Sequence, residues 1–290
     1  MLQTVYKSTF SLLNADLVKL DTKWSYKKVI SPFYRLYLIT GGHGCISDGL
    51  SSMTLEKGYI YLIPSFMLCN YDCDEYLEQY YMHIYEENPD GFSLFGSNRK
   101  LFKIEAQPTD LNNMKRIIEL NPGRDLKKSH NPWDYEKESV IHSYHEMNRK
   151  ASISSYLETM GIIMQMMSRF VTADHFDFPE TKVIPSKILD TVNYIQTNLA
   201  KELTIEHLAE RVHQNADYFS RTFQIHTGMR PINYIQHKRV ERAQFMMLTS
   251  GMSLYEIAIE TGFGSISYFS RVFKRISGQN PSDYKIGNHF

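Results

Sequence analysis

The chain has 290 residues, of which 42% are hydrophobic and 22% are charged, with 32 basic and 32 acidic side chains. This length suits two domains with full hydrophobic cores. No apolar run is long enough to span a bilayer, and the N-terminus lacks the apolar core of a signal peptide, so we expect a cytoplasmic protein without a membrane partner. The three cysteines, Cys45, Cys69 and Cys73, lack the spacing of a disulfide framework and are expected to be reduced.

The N-terminal third of the chain indicates short β-strands. Residues 1–30 read as an arm or an early strand pair, and Gly41-Gly42 and Lys57-Gly58 mark turns. Short strands with turns every eight to twelve residues or so are typical of a small antiparallel sandwich or barrel. We expect the strands at residues 33–39, 43–48, 52–55, 59–63 and 78–85.

A barrel of this size holds either packed side chains or one small ligand. Its many tyrosines suit the faces and hydroxyls of a sugar, although at strand positions they more often form an ordinary β-sheet surface. No ligand-binding residue is therefore assigned. His43 and His83 are isolated, and His142 and His145 have no third ligand in view, so neither a metal nor a cofactor is expected. The tyrosines are Tyr34, Tyr37, Tyr59, Tyr61, Tyr71, Tyr80 and Tyr81.

Helical periodicity follows at residues 109–120, from Asn131-Pro132 to about residue 148, and at residues 153–171. In the last of these helices, apolar residues recur at alternating steps of four and three, the pattern of a packed helical seam. We expect this seam to form a homodimer; the alternative is packing on the chain's own barrel. Residues 172–186 are polar, contain two prolines and read as an interdomain linker. Ser186 is expected to cap a helix over residues 187–199. The seam consists of Ile153, Leu157, Met160, Met164, Met167 and Val171.

One motif is written twice in the C-terminal part of the chain. Tyr-Phe-Ser-Arg-x-Phe begins at Tyr218 and again at Tyr268, and Gly-x-x-Pro-x-x-Tyr begins at Gly228 and again at Gly278. Before each copy stands a short helical pattern that begins at a hydroxyl residue, Thr204 or Ser253, which predicts a pair of helices crossing at a turn. Asn215 and Ser265 are expected to cap the second helix of each pair, and Gly228 and Gly278 to end it. The sequence therefore predicts two helix-turn-helix modules, at about residues 204–228 and 253–278, joined by a helix over residues 231–248.

The second helix of each module has a polar face opposite its buried phenylalanines. Arginine on such a helix pairs with the O6 and N7 acceptors of guanine, or with phosphate. Residues 187–290 carry 12 basic and 9 acidic side chains, against 20 and 23 in residues 1–186, which is the polarity that a DNA reader needs. The exposed sets are Asp217, Ser220, Arg221 and Gln224 in the first module and Ser267, Ser270, Arg271 and Lys274 in the second.

Over roughly residues 188–286, the chain resembles the DNA-binding domain of the AraC/XylS family of bacterial transcription regulators. The most specific stretch is Gly262-Phe263-Gly264 through Lys274. The first module departs from it with His213-Gln214 in place of Gly262-Phe263. Asp217 either accepts from a cytosine amino group or supports its helix N-terminus. The resemblance implies base-reading roles for Asp217, Ser220, Arg221, Ile266, Ser267, Ser270 and Arg271.

The same resemblance implies an α+β multidomain fold. Residues 1–171 would form a cupin-like β-barrel or jelly roll with flanking helices, for sensing and dimerisation, and residues 187–290 an all-α DNA-binding domain. The implied partners are double-stranded promoter or operator DNA, RNA polymerase, a second copy of the chain and a small-molecule effector such as a sugar.

We therefore expect a DNA-binding transcriptional regulator and not an enzyme. Activation is the working expectation, and whether the chain activates or represses transcription is left open. One alternative is a constitutive regulator whose N-terminal half only dimerises. The other is a cupin-type barrel enzyme, although the His-x-His and glutamate of metal-binding cupins are missing near Gly41.

Overall fold

The computed structural model describes residues 9–48, 51–87, 94–95, 99–126, 131–135, 138–171 and 185–287. They form two units, one built from Phe10–Glu87 and Asn98–Asp177 and the other from Phe178–His289. The N-terminal unit combines a β-structure with helices and the C-terminal unit is helical, which confirms the predicted division between a mixed half and an all-α half. None of the described helices is long and apolar enough to cross a membrane.

Strand β3 organises the N-terminal unit because it takes part in two sheets. Its first half pairs antiparallel with β5 and β7, and its second half pairs antiparallel with β4 and β6. Strand β1 lies beside β7, β8 beside β5, and β2 beside β6. The strands are β1 (Thr9–Leu20), β2 (Tyr26–Ile30), β3 (Tyr34–Ser47), β4 (Ser52–Glu56), β5 (Tyr59–Ile63), β6 (Leu68–Asp72), β7 (Leu77–Glu87) and β8 (Phe102–Glu105).

Gly41 and Gly42 lie inside β3, so the prediction of a turn there was wrong. The pairing register of β3 with β7 shifts between Ile39 and Gly41, and Gly42 has a φ of 67°. A Cβ atom on Gly42 would lie 2.0 Å from the carbonyl oxygen of Tyr76. The glycines thus allow β3 to bend from one sheet into the other, and the two strands expected at residues 33–39 and 43–48 are one.

Aromatic side chains fill the interior of this unit. Trp24, Tyr37, Tyr61, Tyr71 and Tyr81 belong to one buried cluster. The Tyr61 hydroxyl accepts from the backbone N–H of Glu56 and donates to the carbonyl oxygen of Thr54, both at 2.8 Å. The Tyr81 hydroxyl accepts from the backbone N–H of Leu126 at 3.1 Å. These tyrosines are therefore core residues with internal partners, not a sheet surface.

A buried charge lies within the aromatic core. Arg35 has no exposed surface and donates to the Tyr71 hydroxyl and, at 3.0 Å, to the carbonyl oxygen of Met67. His83 is also buried, with its ring centroid 5.0 Å from that of Phe33. Burial, with a smaller contribution from the charge of Arg35, holds the pKa of His83 well below its usual 6.5. His83 is consequently neutral at physiological pH.

Four helices follow the strands within the described residues of this unit. Helices α2 and α3 stand where one helix was expected, with residues 136–137 outside the described residues. Helix α4 packs on α1 through Thr159, whose hydroxyl accepts from the Asn121 side chain at 2.9 Å, and through a bidentate Arg116–Glu158 ion pair at 2.7 and 3.0 Å. The helices are α1 (Pro108–Leu120), α2 (Pro132–Tyr135), α3 (Glu138–Lys150) and α4 (Ile153–Ser168).

The C-terminal unit consists of seven helices within the described residues 185–287. The expected linker falls largely outside the described residues, and the first helix begins at Ser186 with Pro185 at its N-cap, where Ser186 itself was expected to cap. The last of the seven helices was not predicted. They are α5 (Ser186–Thr197), α6 (Ile205–Arg211), α7 (Ala216–Thr227), α8 (Pro231–Thr249), α9 (Leu254–Glu260), α10 (Ile266–Ser277) and α11 (Pro281–Gly287).

Candidate nucleic-acid interface

Each module begins with a short helix that is capped as the sequence predicts. The Thr204 hydroxyl accepts from the backbone N–H of His207 at 3.1 Å and starts α6. The Ser253 hydroxyl accepts from the backbone N–H of Glu256 at 3.2 Å at the start of α9. In turn, the Glu256 carboxylate accepts from the backbone N–H of Ser253 at 2.7 Å. These contacts satisfy N–H groups that the helix itself leaves without acceptors.

The second helices, α7 and α10, are capped by Asn215 and Ser265. They end at Gly228 and Gly278, which both adopt the left-handed conformation, with φ of 78° and 82°. The hydroxyl of Thr227 in the first module bonds the carbonyl oxygens of Phe223 and Met229, and that of Ser277 in the second bonds those of Phe273 and Gln279. The two modules therefore fix the ends of their second helices by the same set of interactions.

Aromatic packing is also duplicated. The rings of Phe219 and Phe223 are 5.6 Å apart in α7, and those of Phe269 and Phe273 are 5.5 Å apart in α10. Each second phenylalanine meets a tyrosine of the next helix edge-on: Phe223 meets Tyr234 and Phe273 meets Tyr284, both at 5.4 Å. Because these contacts bury the inner faces of α7 and α10, the orientation of each outer face is fixed.

The turn between the two helices of a module needs a positive φ angle. In the second module Gly262 supplies it, with φ of 81°, and in the first module His213 adopts the same conformation with φ of 52°. The backbone bonds match as well, from Gln214 to Ala209 at 3.0 Å and from Phe263 to Ala258 at 2.8 Å. The departure of the first module from the repeat thus preserves the turn.

Helix α8 connects the two modules and forms hydrogen bonds with residues on both sides of it. Gln236 donates to the Tyr268 hydroxyl of α10 at 2.6 Å and accepts from the Arg275 guanidinium at 2.5 Å. Arg239 donates to the carbonyl oxygens of Leu199 at 3.0 Å and Lys201 at 2.7 Å, next to the turn at Gly262. The network of Gln236, Tyr268 and Arg275 was not predicted from the sequence, because hydrogen bonds between distant residues leave no periodic signal.

The nine residues predicted to contact DNA all lie on α7 and α10. Seven are exposed, while Ser220 and Ser270 are half-buried. Arg221 and Arg271 occupy equivalent positions, with the guanidinium of Arg271 above the ring of Tyr268 at 5.4 Å. The two faces differ in charge, because α7 carries Asp217 in its first turn whereas α10 has no acidic residue and three basic ones. The second module therefore attracts polyanions more strongly.

The predicted dimer seam on α4 divides into two parts. Ile153 is 81% exposed and Leu157 is 62% exposed, and Met164 also faces solvent. Met160 is half-buried, and Met167 is buried within its own unit. Met167 is consequently not available to a second chain, and the surface that remains for such a contact is the stripe Ile153, Leu157, Met160 and Met164.

No group of three or more side chains suited to a metal ion occurs in the described part of the chain. Cys69 and Cys73 are buried, and burial raises the pKa of Cys69 to about 11. Cys69 is therefore a thiol at neutral pH and a poor nucleophile.

Comparisons with known proteins agree with the geometry of the C-terminal unit. Residues 208–286 match a family model described as a helix-turn-helix domain. The transcriptional regulator YobQ of Bacillus subtilis is 35% identical over 95 residues, which is 33% of this chain and 39% of the relative. The regulator YisR of the same organism is 24% identical over 263 residues, covering 89% of this chain and 87% of the relative.

The chain spans about a third to a half of the length of the first curated relatives that it matches. Among solved structures, ToxT from Vibrio cholerae O395 aligns with a TM-score of 0.50 at 15% identity, over 97% of this chain and 96% of that one. That alignment supports a two-domain fold with an N-terminal sheet and a C-terminal helical domain. Together with the duplicated capping and packing, the matches show that the C-terminal unit is a helix-turn-helix domain similar to those of transcriptional regulators.

Proposed function

We propose that this protein is a sequence-specific DNA-binding transcriptional regulator that places α7 and α10 in successive major grooves on one side of the duplex. The observation that carries the proposal is the exposure of equivalent arginines, Arg221 and Arg271, on two helices with matching C-terminal ends and matching aromatic contacts. Helix α8 has 19 residues, so it is about 28 Å long, of the same order as the rise of about 34 Å of one DNA turn.

Within this proposal the exposed residues have different roles. Arg221 and Arg271 read guanine, while Ser220 and Ser270 bond base edges or phosphates next to them. Ile266 and Ser267 stand at the N-terminal end of α10, and Gln224 and Lys274 one turn beyond the arginines. Asp217 follows the cap Asn215, so the α7 dipole stabilises its carboxylate whether or not it also accepts from a cytosine.

The test is to select bound fragments from genomic DNA with the purified chain and to footprint them. We expect Arg271→Ala to cost about 1–3 kcal/mol on the selected site and to relax the preference at one base position. Arg221→Ala should behave similarly at another position. Arg242→Ala removes the same charge from an exposed position on α8 and serves as the control. Equal weakening on every sequence would reassign Arg271 to a phosphate, and no selected sequence at all would refute the proposal.

A second copy of the chain is proposed to bind through α4. The stripe from Ile153 to Met164 is apolar and exposed, which a lone soluble chain has little reason to keep. Gly161 lies beside Leu157 and Met164 on this surface, and a Cβ atom there would meet nothing within 4 Å of its own chain. Glycine in an exposed helix costs about 1 kcal/mol relative to alanine, and close approach by a second helix would explain it.

For the N-terminal unit we propose a cupin-like sandwich that binds a small-molecule effector. A specific observation favours the alternative of a constitutive regulator: Tyr61, Tyr71 and Tyr81 are buried and bonded within the fold, so their hydroxyls are not offered to a sugar. Thermal unfolding with and without a panel of sugars and other metabolites separates the two, because a ligand that binds only the folded state raises the unfolding temperature. A shift for any compound supports the effector.

We also propose that the chain acts in the cytoplasm, with promoter DNA and RNA polymerase as its partners. The relatives YobQ and YisR are named as transcriptional regulators, which favours a regulator over the alternative of a barrel enzyme.

A further inference from the structure

The two arginines proposed to read bases have different surroundings. The guanidinium of Arg271 lies above the ring of Tyr268, with 5.4 Å between the guanidinium carbon and the ring centroid. At the equivalent position of the first module, Tyr218 is 60% exposed. There Arg221 instead donates from Nε to the carbonyl oxygen of Asp217 at 3.4 Å. Of these two arginines, the second alone rests on an aromatic ring within the described residues.

The ring of Tyr268 is held from several sides. The side-chain amide of Gln236, which is buried on α8, donates to the Tyr268 hydroxyl at 2.6 Å. The ring meets that of Phe263, in the turn of the module, edge-on at 5.8 Å. The backbone N–H of Tyr268 donates to the Ser265 hydroxyl at 3.2 Å. Because the hydroxyl, the ring and the backbone each have a partner, the orientation of the ring beneath Arg271 is fixed.

Arg275 determines which way the Gln236 amide points. A guanidinium group can only donate hydrogen bonds, so the amide oxygen of Gln236 faces Arg275, at 2.5 Å. The amide nitrogen then faces the Tyr268 hydroxyl, and both polar ends of this buried side chain have partners. In the first module the residue equivalent to Arg275 is Ile225, which is 61% exposed. Helix α7 cannot form the same arrangement, because an isoleucine side chain donates no hydrogen bond.

We propose that Gln236 and Tyr268 are positioning residues that hold the Arg271 guanidinium in place for its base. The inference rests on the proposed function, under which Arg271 reads guanine. A long side chain loses rotamer freedom when it binds, and a guanidinium that already rests on a fixed ring loses less. The cation–π contact occupies one face of the guanidinium and leaves its N–H donors available to the base. Arg221 reads its base without this support.

The test measures, with the full chain, the ratio of affinities for the preferred and a substituted base at the position that Arg271→Ala identifies. Tyr268→Phe keeps the ring and removes the hydroxyl, and Gln236→Leu removes the amide. Each should lower the ratio about threefold to tenfold. Gln236→Glu should keep the ratio, because a carboxylate accepts from both neighbours of the amide. Tyr218→Phe, the matched change in the first module, should also leave it unchanged. A ratio that stays at the wild-type value in Tyr268→Phe and Gln236→Leu overturns the inference.

A double-mutant cycle separates positioning from general packing. In the Arg271→Ala background, Tyr268→Phe should cost no further affinity, because its effect passes through Arg271. The preference at the base read by Arg221 should stay at the wild-type value in every variant. An equal loss in both backgrounds, or a loss spread over the bases of both modules, assigns Gln236 and Tyr268 to helix packing and overturns the inference alone. If the wild-type chain selects no sequence, or if Arg271→Ala relaxes no base, the proposed function itself fails at that step. Circular dichroism verifies that each variant is folded at the assay temperature.

Discussion

Gly262 and His213 occupy equivalent positions in the two modules, and both have a positive φ angle. The space available for a side chain differs greatly between them. A Cβ atom on Gly262 would lie 2.1 Å from the carbonyl oxygen of Leu199 and 2.8 Å from the guanidinium of Arg239. His213 is exposed and already carries a Cβ at a φ of 52°. The glycine is therefore required by close packing as well as by its φ angle, whereas at position 213 only the φ angle matters.

We predict that Gly262→Ala destabilises the C-terminal unit by more than about 2 kcal/mol, since strain and a backbone collision add. His213→Gly should change stability by no more than about 1 kcal/mol, toward the folded state if relief of the left-handed strain exceeds the added chain entropy. Far-UV circular dichroism during thermal unfolding measures both. Similar losses in the two variants would contradict the assignment of the Leu199 contact.

His83 makes the stability of the N-terminal unit depend on pH. Its pKa is held well below the usual 6.5 in the folded state, first by burial and then by Arg35, while unfolding restores the usual value. Above about pH 6.5 the ring is neutral in both states and contributes nothing to the pH dependence. Below that pH the unfolded chain binds the proton first, so stability falls by up to about 1.4 kcal/mol per pH unit.

We predict that the unfolding temperature of this unit drops as the pH falls from 7 toward 5 and that His83→Phe removes most of the drop. Both tryptophans of the chain, Trp24 and Trp133, lie in the N-terminal unit, so tryptophan fluorescence follows it selectively. The exposed His142, changed to Gln, is the control and should leave the dependence intact. A parallel pH profile for His83→Phe and wild type would exclude His83 as the cause.

At the scale of elements, helices were predicted well because their signals are local. The caps Thr204, Asn215, Ser253 and Ser265 and the terminal glycines are readable within a few residues of each helix end, and the structure confirms them. The exposed faces of α7 and α10 followed from the same periodicity. Pro281 gave the signal for α11 that Pro231 gave for α8, and it was overlooked.

Strands were predicted less well because their pairing is not local. Strand β6 contains Asn70 and follows a proline-containing loop, yet it pairs antiparallel with β2, with Cys69 opposite Val29, and with β3. Strand β8 has only four residues and is a strand because it pairs with β5, where Lys103 lies opposite Tyr61. Neither pairing leaves a periodic pattern within its own segment. The burial of Arg35 and His83 was equally invisible, because it depends on which face of β3 and β7 the core occupies.

At the scale of the whole molecule, a second chain would raise the affinity for DNA above that of the two modules of one chain. In the proposed function, one chain offers two helices for reading bases, and α7 has no net charge from its acidic and basic residues. Two linked chains offer four, and the second chain then binds at a high effective concentration instead of from solution. The exposed stripe on α4 is therefore coupled to DNA affinity in the proposed function.

We predict that the purified chain sediments at micromolar concentration with twice its chain mass of 33.9 kDa. Leu157→Glu should return it to the mass of one chain, because a dimer would bury the new carboxylate at a cost of several kcal/mol, roughly, whereas the single chain leaves it exposed. Ser154→Glu places the same charge on the same exposed turn outside the apolar stripe and should remain dimeric. Sedimentation velocity measures the mass, and circular dichroism verifies that both variants are folded. A wild-type chain that sediments as one copy would refute the α4 interface.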